Sequence, residues 1–198
     1  MAKRLIDLLL AALGLIVLAP LLLAAMAWVR VDSPGPVLFR QERVGRGGRT
    51  FRIHKLRTMF VDAAKRGPAI TELDDPRITR AGRWLRHYRL DELPQLIDVM
   101  AGHMSLVGPR PELPRFVALY PPELRDRVLA VRPGITDPAA LEFADEAELL
   151  AGSADPERTY IEVILPRKLR QQAEYVQRAS WASDLLVIAR TLCMLAQR

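Results

Sequence analysis

The chain has 198 residues, of which 50% are hydrophobic and 26% charged, so it is a folded protein with room for one compact domain. Its net charge of +6 at pH 7 favours anionic partners such as lipid headgroups, nucleotides and phosphates. The single Cys193 excludes an internal disulfide and a cysteine-rich metal site, which fits a reducing compartment.

The first predicted element is an uncharged apolar run over residues 8–29, long enough to cross a bilayer. Ala19-Pro20 interrupts its middle, and proline kinks or breaks a helix because it removes one hydrogen bond. Basic residues flank both ends, and such flanks stay on the cytoplasmic side. We therefore predict a re-entrant helix-break-helix hairpin over residues 1–31, with the break at Pro20, and a cytoplasmic-face domain over residues 32–198.

Two other interpretations of the apolar run remain open. A kinked single-pass anchor has the same length and hydropathy. A secretory signal peptide also begins with basic residues, and Ala25-Met26-Ala27 matches its A-x-A cleavage pattern. The basic residues after the run oppose export, so the hairpin is the favoured interpretation.

The rest of the chain predicts a mostly helical α+β fold. Residues 37–41 and 50–56 read as strands of a hairpin joined by the glycine-bearing loop 44–49. Asp74-Asp75-Pro76 reads as a turn, and helical spacing of apolar residues predicts an amphipathic helix over residues 79–89. Further helices are predicted over residues 92–101, 122–130, 142–150, 156–178 and 182–195, with proline-rich loops at 107–114 and 131–138.

Asp91 and Glu92 form an acidic pair at the start of the predicted helix 92–101. Asp91 stands where an N-cap belongs, with Pro94 in the first turn, so one interpretation is helix capping alone. In the other, the helix N-terminus forms an anion site and keeps Asp91 ionised. A carboxylate beside a bound phosphate serves as a magnesium ligand or as a nucleophile that forms an acyl phosphate.

An arginine recurs at every third residue just before this pair. A helix has roughly 3.6 residues per turn, so the row winds around it and its members cannot share one role. Some arginines are expected to face lipid headgroups beside Trp84 and Tyr88, and others to clamp phosphate; a solvated basic face is the alternative. No nucleic-acid motif accompanies the charge, so no nucleic-acid partner is predicted. The row consists of Arg77, Arg80, Arg83, Arg86 and Arg89.

The chain resembles the bacterial sugar transferase family, in particular its small monotopic phosphoglycosyl transferases. The resemblance covers nearly the whole chain and rests on five motifs in order. They read FRQERVGRGGRTF, HKLRTM, DDPRITRAGRWLR, LDELPQLIDVMAGHMSLVGPRP and RPGIT.

The resemblance implies transfer of a sugar-1-phosphate from a UDP-sugar to polyprenol (undecaprenyl) phosphate, with release of UMP, as the first membrane step of surface glycan synthesis. It gives Asp91 the role of nucleophile through a phosphoaspartyl intermediate. Glu92 would assist in binding Mg²⁺, or Mn²⁺, or in moving protons, and the metal is expected at both carboxylates. The implied phosphate-binding and nucleotide-binding residues are Lys55, Arg86, Arg110 and Pro111.

The same resemblance implies a monotopic protein on the cytoplasmic face of the bacterial inner membrane, in contact with its lipid, and leaves a homodimer open. Many relatives have Ser-Pro where this chain has Ala19-Pro20. After RPGIT many continue with Gly-Trp-Ala-Gln, whereas this chain has Asp137-Pro138-Ala139-Ala140, so the sugar is not predicted. His54 is expected to be a packed strand histidine rather than a titrating group of the site.

Two other functions compete with the transferase. A membrane-bound phosphatase would use Asp91 as the nucleophile and water as the acceptor. A non-catalytic membrane adaptor would need no acidic pair beside Arg86, so the intact LDELPQL segment opposes it.

Overall fold

The computed structural model describes residues 2–67 and 75–198, and over these the fold is mostly helical with two small sheets. The predicted α+β class is confirmed; Asp74 of the predicted turn lies outside the described residues. The helices are α1 (Ala2–Asp32), α2 (Ala63–Arg66), α3 (Arg80–His87), α4 (Gln95–Met100), α5 (Pro114–Val117), α6 (Pro122–Val128), α7 (Pro138–Glu142), α8 (Glu146–Ala151), α9 (Pro156–Thr159), α10 (Leu165–Arg178) and α11 (Trp181–Ala196). The strands are β1 (Leu38–Val44), β2 (Thr50–Leu56), β3 (Ser105–Val107) and β4 (Gly134–Thr136).

Helix α1 is continuous over 31 residues and carries Pro20 inside it. The predicted helix-break-helix is therefore corrected, because Pro20 does not end the helix. Proline removes a single intrahelical hydrogen bond, that of the Ile16 carbonyl, and the leucine-rich turns on either side are good helix formers. The helix is long and apolar enough to cross a membrane.

One side of α1 lies along the rest of the protein. Its buried residues fall on a single stripe: Ala11 packs with a cluster that includes Val99 and Met104, and Val29 packs with Leu56 and Leu85. The opposite side leaves large apolar side chains exposed. These are Leu5, Leu9, Leu13, Ile16, Val17, Leu23 and Val31.

The first turns of α1 are attached to the α4–β3 region by polar contacts. Arg4 donates to the carbonyl oxygens of Val99 (2.7 Å) and Met104 (3.2 Å). The buried carboxylate of Asp7 accepts from Ser105 Oγ at 2.7 Å. A buried carboxylate is tolerated when its oxygens are hydrogen-bonded, so these contacts fix the start of the helix.

The last turn of α1 is attached to the same part of the molecule. The buried guanidinium of Arg57 donates to the carbonyl oxygens of Val29 (3.2 Å) and Ser33 (2.6 Å). Asp32 accepts from the backbone N–H of Ala81 at 2.9 Å, in the first turn of α3. Both ends of α1 are therefore bound to one folded unit.

Strands β1 and β2 form the predicted antiparallel hairpin, with Leu38 opposite Leu56 and Val44 opposite Thr50. Strand β1 extends to Val44, three residues beyond its predicted end at Gln41. Gly47 and Gly48 in the connecting loop have positive φ, which glycine adopts without steric cost.

Strands β3 and β4 pair in parallel, which the sequence did not predict because each has only three residues. Residues 131–138 were expected to be a loop, yet they contain β4. The pairing brings two backbones unusually close: a Cβ on Gly134 would lie 2.1 Å from the Gly108 nitrogen. This close approach places the segment after β3 against the segment after β4, which carry Arg110 and Asp137.

The C-terminal helices follow the predicted pattern with one correction. Residues 156–178 are helical throughout, with a π-helical turn (Tyr160–Ile164) between α9 and α10. In place of one helix over 142–150 there are two short ones, α7 and α8, because Asp137 caps α7 by accepting from Ala140 N and so starts it earlier. Leu165, Leu169 and Ala173 of α10 belong to a buried cluster with Phe116.

Candidate active site

Glu92 is held between two cations from distant parts of the chain. Lys55 Nζ of β2 lies 2.8 Å from its Oε1, and Arg110 Nη1 lies 3.0 Å from its Oε2. Arg110 Nη2 also donates to Oε1, so the guanidinium contacts both carboxylate oxygens. The structure therefore brings together Lys55, Glu92 and Arg110, which are three of the residues that the resemblance implied for the site.

The charges of this cluster depend on one another. Burial alone would raise the pKa of Glu92, but Arg110 and Lys55 outweigh it and hold that pKa well below the usual range. Burial lowers the pKa of Lys55, and the charge of Glu92 opposes this effect. The Glu92 carboxylate is therefore ionised, and it neutralises part of the positive charge around it.

Asp91 is buried, with 7% of its surface exposed, in a 3₁₀ turn (Leu90–Glu92) between α3 and α4. Helix α4 begins later, at Gln95, with Pro94 at its N-cap position and no side-chain cap. The prediction that Asp91 caps this helix is therefore wrong. Within the described ranges no hydrogen bond to the Asp91 carboxylate is found, so its oxygens remain available to a ligand or a reacting group.

The pKa of the Asp91 carboxyl lies above its usual value. Burial raises its pKa, the adjacent Glu92 charge raises it further, and Lys55, Arg86 and Arg89 lower it. The expectation that a helix N-terminus keeps Asp91 ionised is wrong, because α4 begins four residues later. Cationic side chains supply the favourable charge instead.

The arginine row divides between roles, as its spacing predicted. Arg86 is half-buried, and its Nε donates to Thr58 Oγ1 at 2.8 Å. Arg77 is buried and pairs with Asp75. Arg80 and Arg83 are exposed. The charge of Arg86 lowers the pKa of Asp91.

The loop after β3 carries Arg110 and Pro111. The backbone N–H of Arg110 donates to Asp137 Oδ2 at 2.8 Å. The carbonyl oxygen of Pro111 accepts from Arg43 Nη1 at 3.1 Å. Pro111 follows Arg110 directly, and it is therefore adjacent to the cluster around Glu92. Its contact with a nucleotide stays a prediction.

Sequence reasoning missed Arg89 as a residue of the site. It adopts the left-handed conformation (φ 56°), which is uncommon for a residue other than glycine, and its Nη2 donates to the Ala144 carbonyl at 2.6 Å. Its charge lowers the pKa of both Asp91 and Glu92. Its position in the arginine row indicated a possible role, but the three-residue spacing did not distinguish Arg89 from the exposed Arg80 and Arg83.

His54 does not join the cluster around Asp91. Its Nδ1 lies 2.8 Å from Asp98 Oδ1, and its backbone N–H donates to Asp98 Oδ2 at 2.9 Å. Asp98 is completely buried on α4. The pair joins β2 to α4, which agrees with the packed interpretation of this histidine.

The carboxylates present fit a magnesium ion only in part. In residues 2–67 and 75–198, no group of three or more His, Cys, Asp or Glu side chains is placed to hold a metal. Both oxygens of Glu92 already accept from cations, whereas no such contact to Asp91 is found in the part of the chain that the structure describes. Because Mg²⁺ commonly uses one or two carboxylates together with substrate phosphates and water, Asp91 fits it as a partial ligand.

Comparison with known proteins assigns the chain to a family. A sequence model of the family described as bacterial sugar transferase matches residues 1–198. The chain is 40% identical over 195 residues to a UDP-glucose:undecaprenyl-phosphate glucose-1-phosphate transferase of Caulobacter vibrioides, which covers 96% of this chain and 68% of the relative. It is 36% identical over 192 residues to a UDP-N-acetylgalactosamine-undecaprenyl-phosphate N-acetylgalactosaminephosphotransferase of Aeromonas hydrophila, which covers 96% of this chain and 42% of the relative.

A relative from Xanthomonas campestris pv. campestris, also a UDP-glucose:undecaprenyl-phosphate glucose-1-phosphate transferase, is 38% identical over 195 residues. This chain spans 38% of that protein's length, so the relatives carry further sequence that this chain does not match. The family match nevertheless extends over every residue of the chain, including Asp91, Glu92 and both cations that bind Glu92. The chain belongs to the bacterial sugar transferase family.

Proposed function

We propose that the protein transfers a sugar-1-phosphate from a UDP-sugar to undecaprenyl phosphate. The observation that carries the proposal is the buried Asp91 carboxylate, which accepts no hydrogen bond from the described residues and lies among Lys55, Arg86 and Arg89. The names of the relatives supply the two substrate classes. A diphosphate approaching such a site meets a nucleophile and the cations that offset its charge.

The proposed reaction has two steps. A carboxylate oxygen of Asp91 forms a bond to the phosphorus that bears the sugar, and the bond from that phosphorus to the bridging oxygen breaks. UMP leaves with the electron pair, and the sugar phosphate remains on Asp91. An oxygen of undecaprenyl phosphate then bonds to the same phosphorus, and the carboxylate of Asp91 leaves as an anion.

The cations of the site stabilise the charge that moves in these steps. Lys55 and Arg86 lie where they offset the negative charge of both Asp91 and the incoming phosphates. Arg110 keeps Glu92 in place and ionised beside the reacting carboxylate. Mg²⁺ or Mn²⁺, held by Asp91 or Glu92 together with the donor phosphates, would neutralise further phosphate charge.

We also propose that the protein is monotopic and lies on the cytoplasmic face of the bacterial inner membrane. Both ends of α1 are hydrogen-bonded to the same folded unit, so they belong on one side of the bilayer. The exposed apolar side of α1 is suited to contact with lipid. This arrangement brings Asp91 within reach of a lipid phosphate and of a nucleotide sugar from the same side.

The test is UMP release by the purified protein with a panel of UDP-sugars, with and without undecaprenyl phosphate. Sustained release should require undecaprenyl phosphate, whereas the donor alone should give at most one UMP per protein. Sustained release without the lipid would favour the phosphatase. Absence of release with every donor, in a protein that remains folded, would favour the adaptor.

A further inference from the structure

Another buried carboxylate contacts the backbone of Arg110. Asp137 follows β4 and has no exposed surface. Its Oδ1 accepts from Ala140 N at 2.5 Å, and its Oδ2 accepts from Arg110 N and from Gln172 Nε2, each at 2.8 Å. Burial raises the pKa of Asp137, and these three N–H donors oppose that effect because they favour the ionised form.

Capping of α7 accounts for only one of the two oxygens. An N-cap needs a single acceptor, as Asp155 illustrates: this exposed residue caps α9 by accepting from Arg158 N at 3.0 Å. Burial of a carboxylate is costly unless its oxygens are hydrogen-bonded. The second oxygen of Asp137 instead holds the backbone of Arg110.

The contacts form a continuous chain from the C-terminal half to the site. Gln172 lies on α10, is buried, and donates to Asp137. Asp137 accepts from the backbone of Arg110, whose guanidinium contacts both oxygens of Glu92. Helix α10 thus acts on the site through two intermediates.

We propose that Asp137 is a positioning residue of the transferase. With Gln172 it holds the backbone of Arg110 so that the guanidinium clamps Glu92 beside Asp91. The expected loss of activity rests on the proposed function. The fixed position of the Arg110 backbone rests on the hydrogen-bond geometry alone.

The kinetic test combines Asp137→Asn with Arg110→Ala. Asparagine keeps one acceptor oxygen but replaces the other with an NH₂ group, so it cannot serve α7 and Arg110 together. Loss of a hydrogen bond to a charged group predicts that kcat/KM for UMP release falls about 10- to 100-fold. In the Arg110→Ala background the same change should cause no further fall. The matched control Asp155→Asn should retain the kcat/KM of the unaltered protein.

A second variant and a second measurement keep the test decisive. Gln172→Leu leaves the α7 cap in place, so this variant replaces Asp137→Asn if the latter does not fold. Gln172→Leu should also lower kcat/KM. In the Arg110→Ala background it should cause no further fall in kcat/KM. Hydrogen–deuterium exchange of a peptide that covers residues 106–113 should show faster exchange at the Arg110 amide in Asp137→Asn.

The outcomes separate this proposal from the proposed function. Unchanged exchange at the Arg110 amide would overturn the positioning role, even in a protein without transferase activity. The positioning role would also be overturned if, in an active protein, the Asp137→Asn and Arg110→Ala losses in kcat/KM multiplied in the double variant. If the unaltered protein releases no UMP while the amide still responds to Asp137→Asn, the proposed function fails and the fixed position of Arg110 stands.

Discussion

Lys55 and Glu92 lie 37 residues apart in sequence, yet their side chains meet at 2.8 Å. The contact joins strand β2 to the 3₁₀ turn that carries Asp91. Both side chains are largely buried, so removal of one partner leaves the other charge in a poorly solvated place. The pair therefore contributes to stability as well as to the charge around Asp91.

Lys55→Met is expected to reduce both turnover and stability. It leaves Glu92 with Arg110 alone, and breaking a buried ion pair costs about 3–5 kcal/mol, reduced here because Arg110 remains. Thermal unfolding and UMP release measure the two effects. The control is Lys65→Met, since Lys65 is exposed and no ion pair of its side chain is found in the described residues. Equal melting temperatures for the two variants would contradict the prediction.

Asp91→Asn is expected to abolish transfer while the protein stays folded and membrane-bound. An amide is not a competent nucleophile. The substitution removes no hydrogen bond that the Asp91 carboxylate makes with the described residues. UMP release and capture of a radiolabelled sugar-phosphate adduct measure the effect, with the surface variant Asp62→Asn as control. Retention of a tenth of the parental turnover would show that Asp91 is not the nucleophile.

Arg86→Ala should cost far more turnover than Arg83→Ala. Arg86 is half-buried, bonded to Thr58, and its charge lowers the pKa of Asp91, whereas Arg83 is exposed on the same helix. Removal of one electrostatic contact to a reacting group predicts a loss of about 100-fold in kcat. Steady-state kinetics of both variants provide the comparison, and similar losses would mean that the row serves only as a charged surface.

Activity is expected to require a divalent cation. The phosphates of the donor carry negative charge that must be offset before a carboxylate approaches, and Asp91 has oxygens available for a shared ion. UMP release should vanish with a chelator and return with Mg²⁺ or Mn²⁺. Full activity after exhaustive chelation would remove the metal from the mechanism.

Both ends of α1 should be reached only from the cytoplasmic side. Ala2→Cys and Arg49→Cys, each in a Cys193→Ser background, place a thiol at an exposed position. Ala2 is the first residue of α1, and Arg49 follows α1 in sequence. A membrane-impermeant thiol reagent should label neither in intact spheroplasts and both after the membrane is opened. Labelling of Ala2→Cys from outside would establish a full crossing.

Local pattern predicted most of the elements but not the turns between them. The hairpin and α3 follow from alternation and helical spacing, which act over neighbouring residues. The cap at Asp91 was wrong because a 3₁₀ turn and Pro94 delay α4 to Gln95. Strand β4 is too short to show a period of two.

The residues of the site were predicted from motifs, whereas their pairings were not. The resemblance brought Lys55, Arg86 and Arg110 to the vicinity of Asp91, but it did not indicate that two of them bind Glu92. Such pairings depend on how distant segments pack. The support of Arg110 by Asp137 is of the same kind, since it requires the parallel pairing of β3 and β4.

The hydrogen bond from Ser105 to Asp7 spans 98 residues of sequence, which has a consequence for biosynthesis. Because the ribosome makes the chain from its N-terminus, α1 is complete well before Ser105 exists. During that interval Asp7 has no partner from β3. Translation of the β3 segment then supplies the contact that holds the start of α1 to the folded unit, so this attachment forms only after at least 105 residues have been made.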